Sequence, residues 1–217
     1  MPMKFYANGK LLLTSEYYVL EGALALALPT QKGQSLVVSN KLAETGTQPS
    51  LYWNSYDVQG KKWLTAAFDK KTLLPINKAS AEVLILQTIL QEARQQNPSF
   101  LQDETSLSIS THLDFPRNWG LGSSSTLISN VAQWAGVNAF DLLFNTMGGS
   151  GYDIACAQCD SALLYQKNDG KAQYKAIVFE PNFIDSLYFV HLGKKQSSRE
   201  AIAYFYAQKA QNKLNIQ

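Results

Sequence analysis

The chain has 217 residues with 19 Lys and Arg against 17 Asp and Glu, a formal net charge of +2, and its densest basic stretches are pairs such as Lys61-Lys62 and Lys194-Lys195. That balance argues against nucleic acid as a partner, because phosphate binding is usually marked by a basic surplus or basic runs. A 46% apolar fraction is enough for a substantial core. The longest apolar stretch, Gly22 to Pro29, falls far short of the ~18 residues of a membrane span, and the opening MPMKFYANGK has no apolar signal core, so a soluble cytoplasmic protein with no membrane partner is expected.

In chain order, Lys10–Thr14, Ala23–Leu28 and Gln34–Ser39 read as strands, and Leu51–Val58 and Lys62–Phe68 flank a hairpin turn at Gln59-Gly60-Lys61. Ala79 to Arg94 is a predicted helix with Val83, Leu84, Ile85, Ile89 and Leu90 on its apolar face and Pro98 beyond its end. Ser106–Leu113 alternates as a strand. A Pro- and Gly-containing loop, Asp114–Gly122, leads into helical spacing over Ser123–Ala135, and a short helix covers Ala139–Thr146. Met147 to Gly151 is too glycine-rich for regular structure. Strands follow at Ala162–Gln166, Ala172–Phe179 and Leu187–Leu192, then an amphipathic helix from Ser197 to about Leu214, with Ser197 or Ser198 as N-cap and Glu200 in the first turn. Cys156 and Cys159 form a lone Cys-x-x-Cys, and with His112 and His191 isolated they read as core cysteines rather than a zinc or redox centre.

Three segments carry residues suited to chemistry. Phe115-Pro116-Arg-Asn-Trp-Gly120-Leu121-Gly122-Ser123-Ser124-Ser125-Thr126 is a glycine-containing loop ending in four hydroxyl residues that open a helix. Such a loop binds anions: glycines allow close backbone approach, first-turn N–H groups have no intrahelical partners, and the helix dipole favours negative charge. A hydroxyl there can also ligate a phosphate-bridging Mg²⁺. The ordinary alternative is a Ser-rich N-cap, and no Gly-Lys-Ser/Thr follows to make a Walker motif. The second segment, Gly148-Gly-Ser-Gly-Tyr-Asp153, places a carboxylate on a flexible turn between helix and strand, where it could position or deprotonate a hydroxyl or merely cap the next element. In the third, Gly9-Lys10 to Glu21-Gly22, Lys10 begins a strand that enters a polar loop, facing a phosphate or lying as a surface lysine on an edge strand.

Together the three segments resemble the landmarks of the GHMP kinase superfamily, over roughly residues 4 to 195. Lys10 to Gly22 is similar to the family's Gly-Lys, Gly-Glu-His/Tyr, Gly opening. Pro116 to Ser125 resembles its Pro-x-x-x-Gly-Leu-Gly-Ser-Ser-Ser/Ala phosphate loop, and Ser150-Gly-Tyr-Asp153 its Ser-Gly-x-Asp motif. The resemblance implies that Pro116 and Gly120, Leu121, Gly122, Ser123, Ser124 and Ser125 hold ATP, that Ser124 touches Mg²⁺, that Asp153 is the catalytic aspartate with Lys10 near the reacting alcohol, and that Glu16 and Tyr17 meet the acceptor. It also implies an α+β fold: a domain like the second domain of ribosomal protein S5 over residues 1–182, then the first strand and helix of a ferredoxin-like domain over 183–217.

The sequence departs from the family pattern in four places. Ser15 replaces the glycine of Gly-Glu; Gly122 and Asp153 are only 31 positions apart (153 − 122); the nearest acid upstream of the aspartate motif is Asp141, 12 positions before it (153 − 141); and the third, C-terminal glycine loop has no counterpart before Gln217. A truncated chain is one expectation from that last departure. The leading functional expectation is an ATP- and Mg²⁺-dependent small-molecule kinase acting on an alcohol, a mevalonate-like acid foremost, with a homodimer as the protein partner considered. The alternatives are chemistry like that of diphosphomevalonate decarboxylase and a noncatalytic nucleotide-binding relative. A serine hydrolase fits worst, since neither Gly120–Ser124 nor Gly148–Tyr152 matches Gly-x-Ser-x-Gly.

Overall fold

The structure, a computed structural model, describes residues 1–41, 48–193 and 198–211. A mixed seven-stranded sheet forms its frame, built from β1 (Met3–Leu12), β2 (Ala25–Asn40), β3 (Ser50–Tyr56), β4 (Lys62–Asp69), β5 (Leu107–Leu113), β6 (Leu163–Asn168) and β7 (Lys171–Ala176). The order is β4-β3-β5-β2-β6-β7, with β1 on the other edge of β2. All pairings are antiparallel except β3 with β5. The two strands expected at Ala23–Leu28 and Gln34–Ser39 are one, β2. A register shift at Asn8/Gly9 of β1 accommodates the chain between Thr30 and Gly33, so the ladder continues past Pro29. β1 likewise starts at Met3, which puts Lys10 near its end rather than at its beginning.

Helices α1 (Ala81–Gln96), α2 (Ser123–Ala135), α3 (Ala139–Thr146) and α4 (Tyr152–Ala157) close one face of the sheet. The core joins Leu36, Val38, Trp53 and Phe68 of the strands to Leu86 and Leu90 of α1, Ile128 and Val131 of α2, and Leu142 of α3. Ser80 caps α1 by accepting the Val83 N–H. The buried face of α1 is Val83, Leu86, Ile89, Leu90 and Ala93, while Leu84 and Ile85 point to solvent, a correction to the predicted stripe. The 83–86–90–93 spacing follows the helical period, and two further apolar residues cannot share that face.

Two further corrections fall in the second half. The chain does not run from the glycine turn straight into a strand: it first forms α4, whose six residues are too few to show a period. Residues 187–192 adopt no regular secondary structure, and Tyr188, Val190 and Leu192 are largely exposed. The expected terminal helix is α5 (Ser198–Ala210), with Glu200 in its first turn; Ser197 and Leu214 lie outside the described residues. No helix among the described residues is long and apolar enough to cross a membrane.

Candidate functional site

The loop from Pro116 to Gly122 is anchored before it turns. Leu113, Phe115 and Leu121 form a small buried cluster with Leu11 and Trp119, and the Trp119 N–H donates to the Pro116 carbonyl at 3.0 Å. The residue preceding α2 is Gly122 in the left-handed conformation (φ 87°), and no side chain caps the helix. The Ser-rich N-cap reading is therefore overturned. The serines lie inside the first turn, and the Ser123, Ser124 and Ser125 N–H groups have no intrahelical acceptors. Ser125 turns inward, its hydroxyl donating to the Gly122 carbonyl at 2.9 Å, while Ser124 is exposed. Thr126 and Asn130 pin the helix to β2 through Gln34, by Thr126 Oγ1 to Gln34 Oε1 at 2.8 Å and Asn130 Nδ2 to the Gln34 carbonyl at 2.8 Å.

Lys10 lies across this loop. Its backbone N–H donates to the Leu121 carbonyl at 3.0 Å, and a Cβ added to Gly122 would stand 3.1 Å from Lys10 Cγ. The preceding residue must be small as well, because a Cβ on Gly9 would meet the Leu121 and Lys32 carbonyl oxygens at 2.9 Å. At its tip the Lys10 ammonium donates to the Tyr152 hydroxyl at 2.6 Å. Tyr152 and Asp153 begin α4, so the helix that sequence periodicity missed is what brings the aspartate to the lysine. The Asp153 carboxyl accepts from the Ile154 N–H at 3.1 Å. Burial pushes its pKa up, against the opposing pull of the Lys10 charge, backbone N–H groups and the Ser125 hydroxyl. Burial also holds the Tyr152 phenol well above its ordinary range, with the charges of Asp153 and Glu16 adding to the effect. Behind α4, the Tyr165 hydroxyl donates to the Ser150 carbonyl and Lys167 Nζ to the Gly149 carbonyl at 3.0 Å, which hold the glycine turn.

The third segment closes the group. Ser15, at the position where the resemblance expects glycine, has a left-handed φ of 63°, and its hydroxyl is tied to the Leu24 carbonyl at 2.7 Å. Tyr17 is also left-handed, with φ 64°. Two non-glycine residues in that region within three positions are unusual in ordinary loops and concentrate at functional sites. Glu16 is exposed and Tyr17 half-buried, and the Glu16 charge helps raise the Tyr17 phenol, behind burial as the main cause. Phe205 of α5 stacks on Tyr17 at 5.8 Å and meets Tyr18 edge-on at 5.6 Å, and Lys209 pairs with Glu21.

The structure thus gathers Lys10, the 120–125 loop, Asp153 and the Glu16-Tyr17 loop into one region. Pro116 lies farther back in the loop, accepting the Trp119 N–H. Four neighbours had no role in the sequence reading: Tyr152, Phe205, Trp119 and Trp63. Trp119 faces Phe189 and His191 at 6.0 Å, and Arg117 lies 3.6 Å over the Trp63 ring. Tyr152 had a usable signal in its place next to Asp153, and Trp119 in its place inside the glycine loop; Phe205 and Trp63 are distant in sequence from what they touch. Asp141 sits on α3, next to Phe140, which packs against the Tyr152 cluster. Asp141 also lines a cavity with Gln96, Gly136 and Asn145.

The donor set suits a magnesium nucleotide. Among the described residues no group of three or more His, Cys, Asp or Glu is arranged to hold a metal by itself. A nucleotide-bound Mg²⁺ takes most of its oxygen ligands from phosphates and water and needs few from protein. The exposed Ser124 hydroxyl, at an uncapped helix N-terminus beside a lysine, fits that requirement. Cys156 in α4 and Cys159 just beyond it are free thiols, Cys156 buried with its pKa pushed up to about 12 by burial, which agrees with a core role rather than a reactive one.

The sequence matches no protein-family model and no curated protein. The fold, in contrast, is shared with solved kinases. L. major mevalonate kinase in complex with R-mevalonate matches with a TM-score of 0.59 at 16% identity, over 98% of this chain and 63% of that one. Streptococcus pneumoniae phosphomevalonate kinase in complex with phosphomevalonate and AMPPNP matches at 0.52 and 20% identity, over 76% of this chain and 49% of that one. Lactococcus lactis galactokinase complexed with galactose matches at 0.59 and 13% identity, over 100% of this chain and 58% of that one. The chain therefore spans 49% to 63% of the length of these relatives in fold.

Proposed function

We propose that this chain, which has the fold of the GHMP kinases, is the nucleotide-binding part of an ATP- and Mg²⁺-dependent kinase that phosphorylates the hydroxyl of a small molecule. The observation that carries the reading is the contact of three separate segments around one lysine: Lys10 bonds the phosphate loop through its backbone and the start of α4 through its ammonium.

In this reading the N–H groups of Ser123 to Ser125 and the backbone of Gly120 to Gly122 receive the phosphates, and the Ser124 hydroxyl reaches the metal. Mg²⁺, when bound, neutralises phosphate charge and orients the γ-phosphoryl group. Glu16 and Tyr17 orient the acceptor. Its hydroxyl proton passes to the Asp153 carboxylate as its oxygen bonds to the γ-phosphorus, and the bond to the bridging β-phosphate oxygen breaks to leave ADP. The raised pKa of Asp153 suits a proton acceptor better than an ordinary aspartate would. Lys10 offsets negative charge between the loop and the reacting oxygen, a role worth most where water is scarce.

A mevalonate-like hydroxy acid leads the acceptors, on the Glu-Tyr form at Glu16-Tyr17 and the segment Val19-Leu20-Glu21-Gly22. The fold itself is common to kinases of mevalonate, phosphomevalonate and galactose and makes no choice among them. ADP release with Mg-ATP across mevalonate, phosphomevalonate, homoserine and simple sugars tests the proposal, with CO₂ measured alongside. One acceptor giving ADP without CO₂ is expected; CO₂ release would indicate decarboxylase chemistry instead, and ATP binding with silence across the panel would favour a noncatalytic nucleotide binder.

A further inference from the structure

The contact at the centre of the site is not between the lysine and the aspartate. Lys70 pairs with Asp103 and Lys209 with Glu21, whereas Lys10 and Asp153 feel each other's charge but are not within ion-pair distance. The Lys10 ammonium instead donates to the Tyr152 hydroxyl at 2.6 Å and lies 5.0 Å from the centre of its ring. That ring is itself held: Tyr152 is 9% exposed, packs with Ala155, Cys156 and Leu163, and meets Tyr165 edge-on at 6.5 Å. Tyr165 in turn bonds the carbonyl of Ser150, two residues before Tyr152. A tyrosine so braced can fix the position of a flexible four-carbon amine.

We propose that Tyr152 is a positioning residue, whose hydroxyl accepts a hydrogen bond from the Lys10 ammonium and holds that cation beside the Asp153 carboxylate rather than paired with it. The proposal rests on the kinase reading for its catalytic meaning. An ammonium seated directly on the carboxylate would stabilise its charge and weaken it as a proton acceptor. Held on the phenol, the same cation stays free to face the phosphate and the reacting oxygen. The charged and titratable groups around Asp153 and the adjoining Tyr152 are Lys10 from β1, Glu16 and Tyr17 from the loop that follows it, which act on Tyr152, Cys156 from α4, and Tyr165 from β6. Of these, Lys10 is the cation, so its placement governs the sign of the local field.

Tyr152→Phe removes the hydroxyl and keeps the ring. With the acceptor found by the ADP panel, kcat is expected to fall about tenfold or more while KM for ATP stays within about twofold, the split expected when orientation rather than binding is lost. The acid limb of kcat is expected to move to lower pH, because the released ammonium settles on Asp153. A purely structural role would leave that limb in place, and an unchanged limb or an unchanged kcat overturns the proposal. Titration of the Asp153 carboxyl carbon by NMR, in the unmodified protein and in Tyr152→Phe, reads the same shift without turnover. A protein that releases no ADP with any acceptor therefore defeats the kinase reading and leaves this inference to the titration. If Tyr152→Phe does not fold, the unmodified protein decides: a nuclear Overhauser contact between the Lys10 ε-methylene and the Tyr152 ring is expected, and its absence overturns the proposal.

Discussion

Asp153 combines two demands that oppose each other. Burial raises its pKa above the ordinary aspartate value more than Lys10 and its hydrogen bonds lower it. The folded protein therefore binds this proton more tightly than the unfolded chain. Between the two pKa values stability falls as pH rises, and above the folded value the full cost of the buried charge is present. Asp153→Asn removes that charge at nearly constant shape. We predict loss of turnover together with a higher Tm at pH 7, measured by thermal unfolding beside the kinetic assay; an equal or lower Tm would contradict the burial argument. In the unmodified protein kcat should rise with pH through an acid limb above the ~4 of a free aspartate. Ser15 shows the residue scale from the other side. Its left-handed φ of 63° explains why glycine suits that position, and its hydroxyl bond to Leu24 is the local compensation. The identity of Ser15 was plain in the sequence, but its backbone conformation was not.

At the scale of elements, α2 and its loop were legible because their signals are local. Glycines, hydroxyls and an apolar period follow one another within 20 residues (116 to 135), and the helix starts at Ser123 as expected. What could not be read was how the loop is held, since that depends on β1. Gly122 shows the difference. A Cβ there would come within 2.7 Å of Ser125 Oγ and 3.1 Å of Lys10 Cγ, whereas one on Gly120 would meet nothing within 4 Å. Both glycines have positive φ, so Gly120→Ala should cost about 1–2 kcal/mol of stability from conformation alone. Gly122→Ala should cost more and also weaken ATP binding by displacing Lys10. Calorimetric ATP titration of the two variants checks this, and equal affinities would show that Gly122 does not support the site. α4 escaped the sequence reading for the opposite reason: six residues carry no period, and its placement comes from packing of Ile154, Ala155 and Cys156. The expected strand at Leu187–Leu192 was read from apolar content, but a strand also needs a neighbour to bond, and among the described residues none lies beside it.

Across the whole molecule, parts far apart in sequence surround the site. The single strand β2 pairs with β1 on one edge and with β5 and β6 on the other, so it links the strand bearing Lys10 to the strands that lead into the 116–122 loop and away from α4. After β7 the chain returns to the same region. Phe189 and His191 face Trp119 of the loop, with His191 Nε2 3.1 Å from the Asn118 carbonyl, and Phe205 rests on Tyr17 and Tyr18. Phe205→Ala should raise KM for the acceptor about twofold to tenfold, matching the ~0.5–1.5 kcal/mol of an aromatic pair, while KM for ATP is unchanged. Equal rises in both constants would mean that α5 supports the fold as a whole instead of the acceptor loop. Such contacts are absent from sequence patterns because no periodicity connects residue 17 to residue 205.

The most direct measurement is transfer of label from γ-³²P-ATP, with Mg²⁺, to the acceptor identified by the panel, in the unmodified protein and in Asp153→Asn. The account predicts one labelled phosphate ester that forms with the unmodified protein and is lost in the variant while ATP binding persists. Labelled ester formed at the same rate by both proteins would contradict it.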